Sequence, residues 1–134
     1  MNAISQRAIA AADLPKNEQP IRGPLDRIVT DDDVDKALAF LRDSAKTLGE
    51  AKRRTMESAS LVKRTKALIM RMHSEKSLGA AEREAIADDR YAEAETQEAI
   101  AFGDFECLRA LREAAAAKVE AWRSETATLR SMKL

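Results

Sequence analysis

From Val34 onward, apolar positions recur at Leu38, Leu41, Ala45 and Leu48, in steps of four, three, four and three residues. That spacing keeps one face of a helix apolar. Thr30 followed by Asp31, Asp32 and Asp33 marks the helix start: a hydroxyl at the N-cap accepts from orphan amides, and acids suit the positive end of the dipole. Ala59, Val62 and Ile69 continue the stripe and no proline interrupts it, which predicts one helix over about residues 31–76. Gly49 is its weak point, costing roughly 1 kcal/mol against Ala. Ser77-Leu78-Gly79 is the internal break signal, placed at residues 77–80. A second stripe of Ala101, Phe105, Leu108, Leu111, Ala115, Val119, Trp122 and Leu129 predicts a helix over about residues 81–132.

Residues 1–30 are different in kind. They hold all three prolines, Pro15, Pro20 and Pro24, and the run Pro-Lys-Asn-Glu-Gln-Pro has neither helical nor strand period. Ile21, Leu25, Ile28 and Val29 give the stretch something to dock with, so it reads as an N-terminal arm, flexible alone or ordered against a neighbour. Residues 31–134 form the second unit, two long helices joined by a short turn. The expected fold is all-α: a long antiparallel helical hairpin of the coiled-coil type. So long and narrow a hairpin has a thin core, so its stability calls for self-association into a homo-oligomer.

Composition supports this reading. Of 134 residues, 34% are charged and 4% aromatic, with 4 glycines and 3 prolines, which favours long helices over sheets and their turns. The single cysteine, Cys107, excludes an intrachain disulfide and, with the lone His73, leaves no cysteine-based zinc cage. No apolar stretch is long enough to span a bilayer and no signal-peptide core stands at the N-terminus, which points to a soluble intracellular protein without a membrane role.

The net charge is zero, from 23 basic and 23 acidic residues, but the distribution is uneven. Residues 46–76 carry 9 basic and 3 acidic residues; residues 77–106 carry 2 basic and 9 acidic ones. Within the basic half, eleven residues make almost three helical turns, so Arg53 and Arg64 share a face, as do Lys52 and Lys63, and Arg71 stays near that line. With Arg54 and Lys66 nearby, this is a basic ridge suited to tracking a phosphate backbone. A second reading competes with it. The acidic stretch of Glu82, Glu84, Asp88, Asp89, Glu93, Glu95 and Glu98 must fold back near the basic one, so the charges can simply pair.

Catalytic chemistry is not expected. His73 has no nucleophile or acid set assembled around it, Asp88-Asp89 has no metal-ligand spacing, and no Gly-rich loop is present to cradle a phosphate. Phe105 and Trp122 fall on the apolar stripe and read as packing residues, whereas Tyr91 reads as more exposed, a stacking or interface residue.

Several segments in this order resemble the phage UvsY-type recombination mediators. They are the Phe40-Leu41 pair in the first helix, the segment Leu61-Val-Lys-Arg-Thr-Lys-Ala-Leu68, and a polar break. The core Ile100-Ala-Phe-Gly-Asp-Phe-Glu-Cys-Leu-Arg-Ala-Leu111 follows, and the closing Ala121-Trp-Arg-Ser with Leu129-Arg-Ser-Met132 looks like the small proteins encoded in phage recombination gene clusters. The resemblance covers roughly residues 33–134. It implies a non-enzymatic, ring-like homo-oligomer in a phage-infected bacterial cytoplasm that binds single-stranded DNA. Such a protein helps load a RecA-like recombinase onto strands covered by single-strand-binding protein, with no cofactor or metal. Lys63, Arg64 and Lys66 would contact the DNA; Lys52, Arg53, Arg54 and Arg71 join them on the ridge argument alone. The C-terminal helix would supply the oligomer interface, through Phe105, Leu108, Leu111, Val119, Trp122 and Leu129. The alternative is an oligomeric coiled-coil scaffold or adaptor that binds another protein through its acidic face.

Overall fold

The structure, a computed structural model, describes residues 27–133. It is all-α, with four helices and no strand among the described residues: α1 (Asp31–Asp43), α2 (Ala45–Met72), α3 (Leu78–Ala87) and α4 (Asp89–Met132). Of the expected arm, residues 1–26 lie outside the described residues. Arg27 to Thr30 lie inside, and they dock on the chain's own α4. The Ile28 and Val29 amides donate to the Glu125 carboxylate at 3.0 and 3.3 Å, Arg27 donates to the Thr126 hydroxyl, and Val29 is buried.

Thr30 caps α1 as its position predicts. Its hydroxyl accepts from the Asp33 amide at 3.1 Å while the Asp33 carboxylate accepts from the Thr30 amide at 2.9 Å, a reciprocal capping box. The helix does not continue to residue 76. It is interrupted at Ser44, not at the expected weak point Gly49, which lies inside α2. The cause is on the facing helix: the Arg112 guanidinium donates to the Leu41 carbonyl and to the Ser44 hydroxyl, both at 2.6 Å, and Ser44 itself donates to the Phe40 carbonyl. Side-chain competition for main-chain acceptors is a known way to break a helical ladder.

The break between the long helices also shifts. α2 ends at Met72 with His73 as its C-cap, and Ser77 caps α3 by accepting from the Ala80 amide, so Leu78 and Gly79 open a helix and are not the turn. The second helix of the sequence reading is itself divided. Asp88 is extended and accepts from the Arg90 amide at 2.8 Å, ending α3 and capping α4.

α1 and α2 run antiparallel to α4. Trp122 Nε1 meets Asp31, Arg112 meets Leu41 and Ser44, the Thr55 hydroxyl donates to the Ala101 carbonyl, and Arg90 meets Met72. On α1 and α2 the buried and half-buried positions along this seam are Val34, Ala37, Leu41, Ser44, Leu48, Ala51, Thr55, Ser58, Val62, Thr65 and Ile69. On α4 they include Ala94, Ala101, Phe105, Leu108, Arg112, Ala115, Val119, Trp122 and Leu129. Both series advance in alternating steps of three and four, a repeat of seven. α3 folds back onto α2 and touches α4, covering one flank of the seam near the turn.

The seam is narrow and built from small side chains. Six of the nine buried apolar residues are alanines, and Ile69 is the one large side chain fully enclosed among the described residues. Meanwhile Leu38, Met56, Leu61, Leu68, Ile100, Phe102 and Leu111 remain about half exposed or more.

Candidate nucleic-acid interface

All seven basic residues expected to contact DNA lie on α2, an unbroken helix of 28 residues, so their spacing translates directly into direction. With the seam repeating every seven residues, Arg53, Lys63, Arg64 and Arg71 fall on the side turned away from α4, and all four are exposed. Arg53 and Arg64 line one open depression with Met56, Glu57, Ser60 and Leu61. Arg53 approaches Glu57 at 3.8 Å, a weak contact; Lys63, Arg64 and Arg71 form no ion pair among the described residues.

The other three expected residues leave this face. Lys52 and Lys66 are fourteen positions apart and share the flank that α3 covers. The Lys52 ammonium sits 5.0 Å from the centre of the Phe105 ring, a cation–π contact that holds it beside the seam. Lys66 is half-buried and donates to Glu82 of α3 at 2.7 Å. Glu82 raises the Lys66 pKa, and Lys66 holds the Glu82 carboxyl below its usual value. Arg54 occupies the opposite flank, in a groove with Leu61, Ile100 and Asp104, and forms no ion pair among the described residues.

Lys46 was not among the expected residues. It is exposed, lacks an ion pair among the described residues, and precedes Arg53 by seven, so it extends the outward row. Its spacing from Arg53 is the same step of seven that separates Arg64 from Arg71 and is visible in the sequence, whereas the step of eleven that joins Arg53 to Arg64 does not reach it. From Lys46 to Arg71 the row runs about 38 Å along the helix.

The acidic stretch is used in part for pairing. Besides Glu82 with Lys66, Glu84 accepts from Lys76 at 2.7 Å. Asp88 pairs with Arg90 on its own helix, and this hydrogen-bonded contact, with the Arg90 amide, lowers the Asp88 pKa to about 2. Asp89, Glu93, Glu95 and Glu98 form no ion pair among the described residues.

Of the residues expected at an oligomer interface, five are engaged within the chain. Phe105, Leu108, Val119, Trp122 and Leu129 are half-buried in the seam against α1 and α2. Trp122 donates to Asp31 at 2.7 Å and lies under the Arg27 guanidinium. Leu111 alone of the six is turned outward, 54% exposed. Tyr91 is half-buried, and burial, with Glu95 nearby, pushes its hydroxyl pKa up. His73 approaches Glu75 at 3.8 Å, and no group of metal-ligating side chains occurs among the described residues. No helix among them is long and apolar enough to cross a membrane. Comparison of the chain with protein-family models, with curated proteins and with solved structures finds no match.

Proposed function

We propose that the chain is a non-enzymatic, self-associating coiled-coil protein that binds single-stranded DNA along the outward face of α2. The observation that carries this reading is the row of Lys46, Arg53, Arg64 and Arg71, flanked by Lys63: exposed cations on one side of a long helix, spare from the seam. A row of this kind contacts backbone and not base edges, so it binds with little sequence preference. A few contacts per chain give weak binding, and repetition in an oligomer turns them into avidity. The resemblance to UvsY-type mediators extends the proposal to loading a RecA-like recombinase onto strands covered by single-strand-binding protein, in the cytoplasm of an infected host.

The test is fluorescence anisotropy of a labelled poly-dT oligonucleotide at several salt concentrations. Five cations meeting phosphates on one chain give a log–log salt slope of about −3.5. The double variant Lys63→Ala with Arg64→Ala weakens binding and shallows that slope, whereas Lys66→Ala, already paired to Glu82, changes affinity less. Absence of binding at low salt sinks the reading.

The two ion pairs between α2 or its turn and α3, Lys66 with Glu82 and Lys76 with Glu84, favour a second reading. In it the uneven charge serves folding, and the chain is a scaffold or adaptor for another protein. A chain that self-associates but ignores poly-dT at low salt fits that reading and not the first.

A further inference from the structure

The seam has two flanks, and α3 covers one of them near the turn. α3 lies on the flank that carries Lys52 and Lys66. The other carries Asp33, Phe40, Arg54, Leu61 and Leu68 from α1 and α2, all separated by multiples of seven. Facing them across the groove are Gln97, Asp104, Leu111 and Lys118 of α4, also seven apart. Two stretches of this groove are well defined: Phe40 with Leu111 between Asp33 and Lys118, and Leu61 with Ile100 beside Arg54 and Asp104. Leu61, Leu68, Ile100 and Leu111 are each about half exposed here, 49, 53, 52 and 54%. So many large apolar side chains on one flank of a narrow hairpin mark a docking surface.

The charges identify the occupant. In these two stretches Asp33 lies across from Lys118, Phe40 from Leu111, Arg54 from Asp104 and Leu61 from Ile100, with Lys36, Glu57 and Gln97 also on the lining. None of Asp33, Lys118, Arg54 and Asp104 is in an ion pair among the described residues. A surface so arranged is complementary to itself when rotated about an axis parallel to the helices, because rotation exchanges the two sides and keeps the level. An axis across the helices would set the Asp33 and Lys118 end against Leu61 and Leu68, charge against hydrocarbon.

We propose that this flank binds a second copy of the chain about a two-fold axis parallel to the helices, α2 of each lying antiparallel on α4 of the other. The interface is isologous, a four-helix arrangement with Arg54 of each copy against Asp104 of its partner. It rests on the self-association put forward above and gives it a surface different from the seam residues Phe105, Leu108, Val119, Trp122 and Leu129. It also leaves the outward row of Arg53, Arg64 and Arg71 exposed on both copies.

Charge reversal with complementation tests it, using the full chain in sedimentation equilibrium without DNA. Arg54→Glu alone and Asp104→Arg alone each set like charges together twice per dimer, and each weakens self-association about tenfold or more. An equimolar mixture of the two variants forms a heterodimer in which every pair between the two copies is again opposite, and its affinity returns to within about threefold of the wild type. Circular dichroism checks that each variant keeps its helix. A disturbance inside one chain is not repaired by mixing, so failure of the mixture to recover overturns the two-fold pairing. A wild type that self-associates while ignoring both reversals overturns this interface and leaves self-association standing. A wild type monomeric at every concentration overturns both, assigning the flank to residues 1–26 or to a different protein, while poly-dT binding remains a separate readout.

Discussion

Arg112 stands where the seam of α4 would otherwise take an apolar side chain. Its guanidinium reaches across to the first helix and occupies the Leu41 carbonyl and the Ser44 hydroxyl at 2.6 Å. Ser44 is buried, so these acceptors have no easy recourse to water. A charged residue inside a helical seam contributes less through net stability than through register, since a slip of the hairpin by one heptad would strand it without acceptors. Removing it by Arg112→Ala leaves a hole and frees a buried acceptor, and lowers unfolding stability by about 1–3 kcal/mol. Arg112→Met fills most of the space and loses less, because it deletes the donor without leaving a void. Urea unfolding at one fixed protein concentration measures both, so that any self-association enters each measurement alike. Equal stability in wild type and Arg112→Ala would remove Arg112 from this role.

At the scale of the helix, α2 buries small and polar side chains and exposes large apolar ones. Ala51, Thr55, Ser58 and Thr65 face α4, while Met56, Leu61 and Leu68 do not. The Thr55 hydroxyl remains satisfied there, donating to Ala51 of its own turn and sharing Ala101 of α4. Ile69, 1% exposed, is the exception, and truncation to alanine costs about 2–4 kcal/mol. Met56→Ala, on the outward side and 63% exposed, stays within about 0.5 kcal/mol of wild type. The same unfolding experiment reads both, and similar costs would contradict this assignment of faces. This exchange of inside and outside also explains what the sequence could reveal. The α4 stripe was legible because Phe105, Leu108, Val119, Trp122 and Leu129 are both apolar and inward. On the first helix Val34, Leu41 and Leu48 are inward, but Leu38 and Ala45 are exposed, and Ala37 and Ser44 take the seam instead. A search that ranks Leu above Ala and Ser selects the wrong neighbour wherever helices approach closely. Breaks were harder still, because the one at Ser44 depends on a guanidinium 68 residues away and the one at Asp88 on an acid that reads as one more member of the acidic stretch. The outward positions of Arg53, Arg64 and Arg71 follow from local spacing and were legible. That Glu82 and its neighbours can pair with the basic half was legible too; that Lys66 is the residue captured depends on where α3 returns and was not.

For the whole molecule, the joints are electrostatic. Asp33 at the start of α1 is held below its usual pKa chiefly by the Thr30 amide, Glu82 and Glu84 of α3 by Lys66 and Lys76, and Asp88 at the start of α4 by Arg90. Each of these carboxyls is more acidic in the folded chain than in the unfolded one, so each favours folding while it is ionised in both. That contribution is complete above the unfolded value, near 4, and disappears as pH falls through the folded value, about 2 for Asp88. Lys66 runs the other way: its pKa is raised on folding, so its contribution is full below the ordinary lysine value and is lost as pH rises through the raised one. The Lys66–Glu82 contact therefore weakens at both ends of the scale. The urea midpoint should be flat near neutrality and fall as the solution is acidified from about pH 4 to about pH 2, with α3 and the two capped helix starts loosening first. Asp88→Asn keeps a capping oxygen but cannot titrate, so it is less stable than the wild type near neutrality and its midpoint falls less over that interval. Amide exchange along α3 and the first turn of α4 locates the loss. A wild-type midpoint unchanged down to pH 2, or an Asp88→Asn curve parallel to it throughout, would mean that these contacts do not hold the joints.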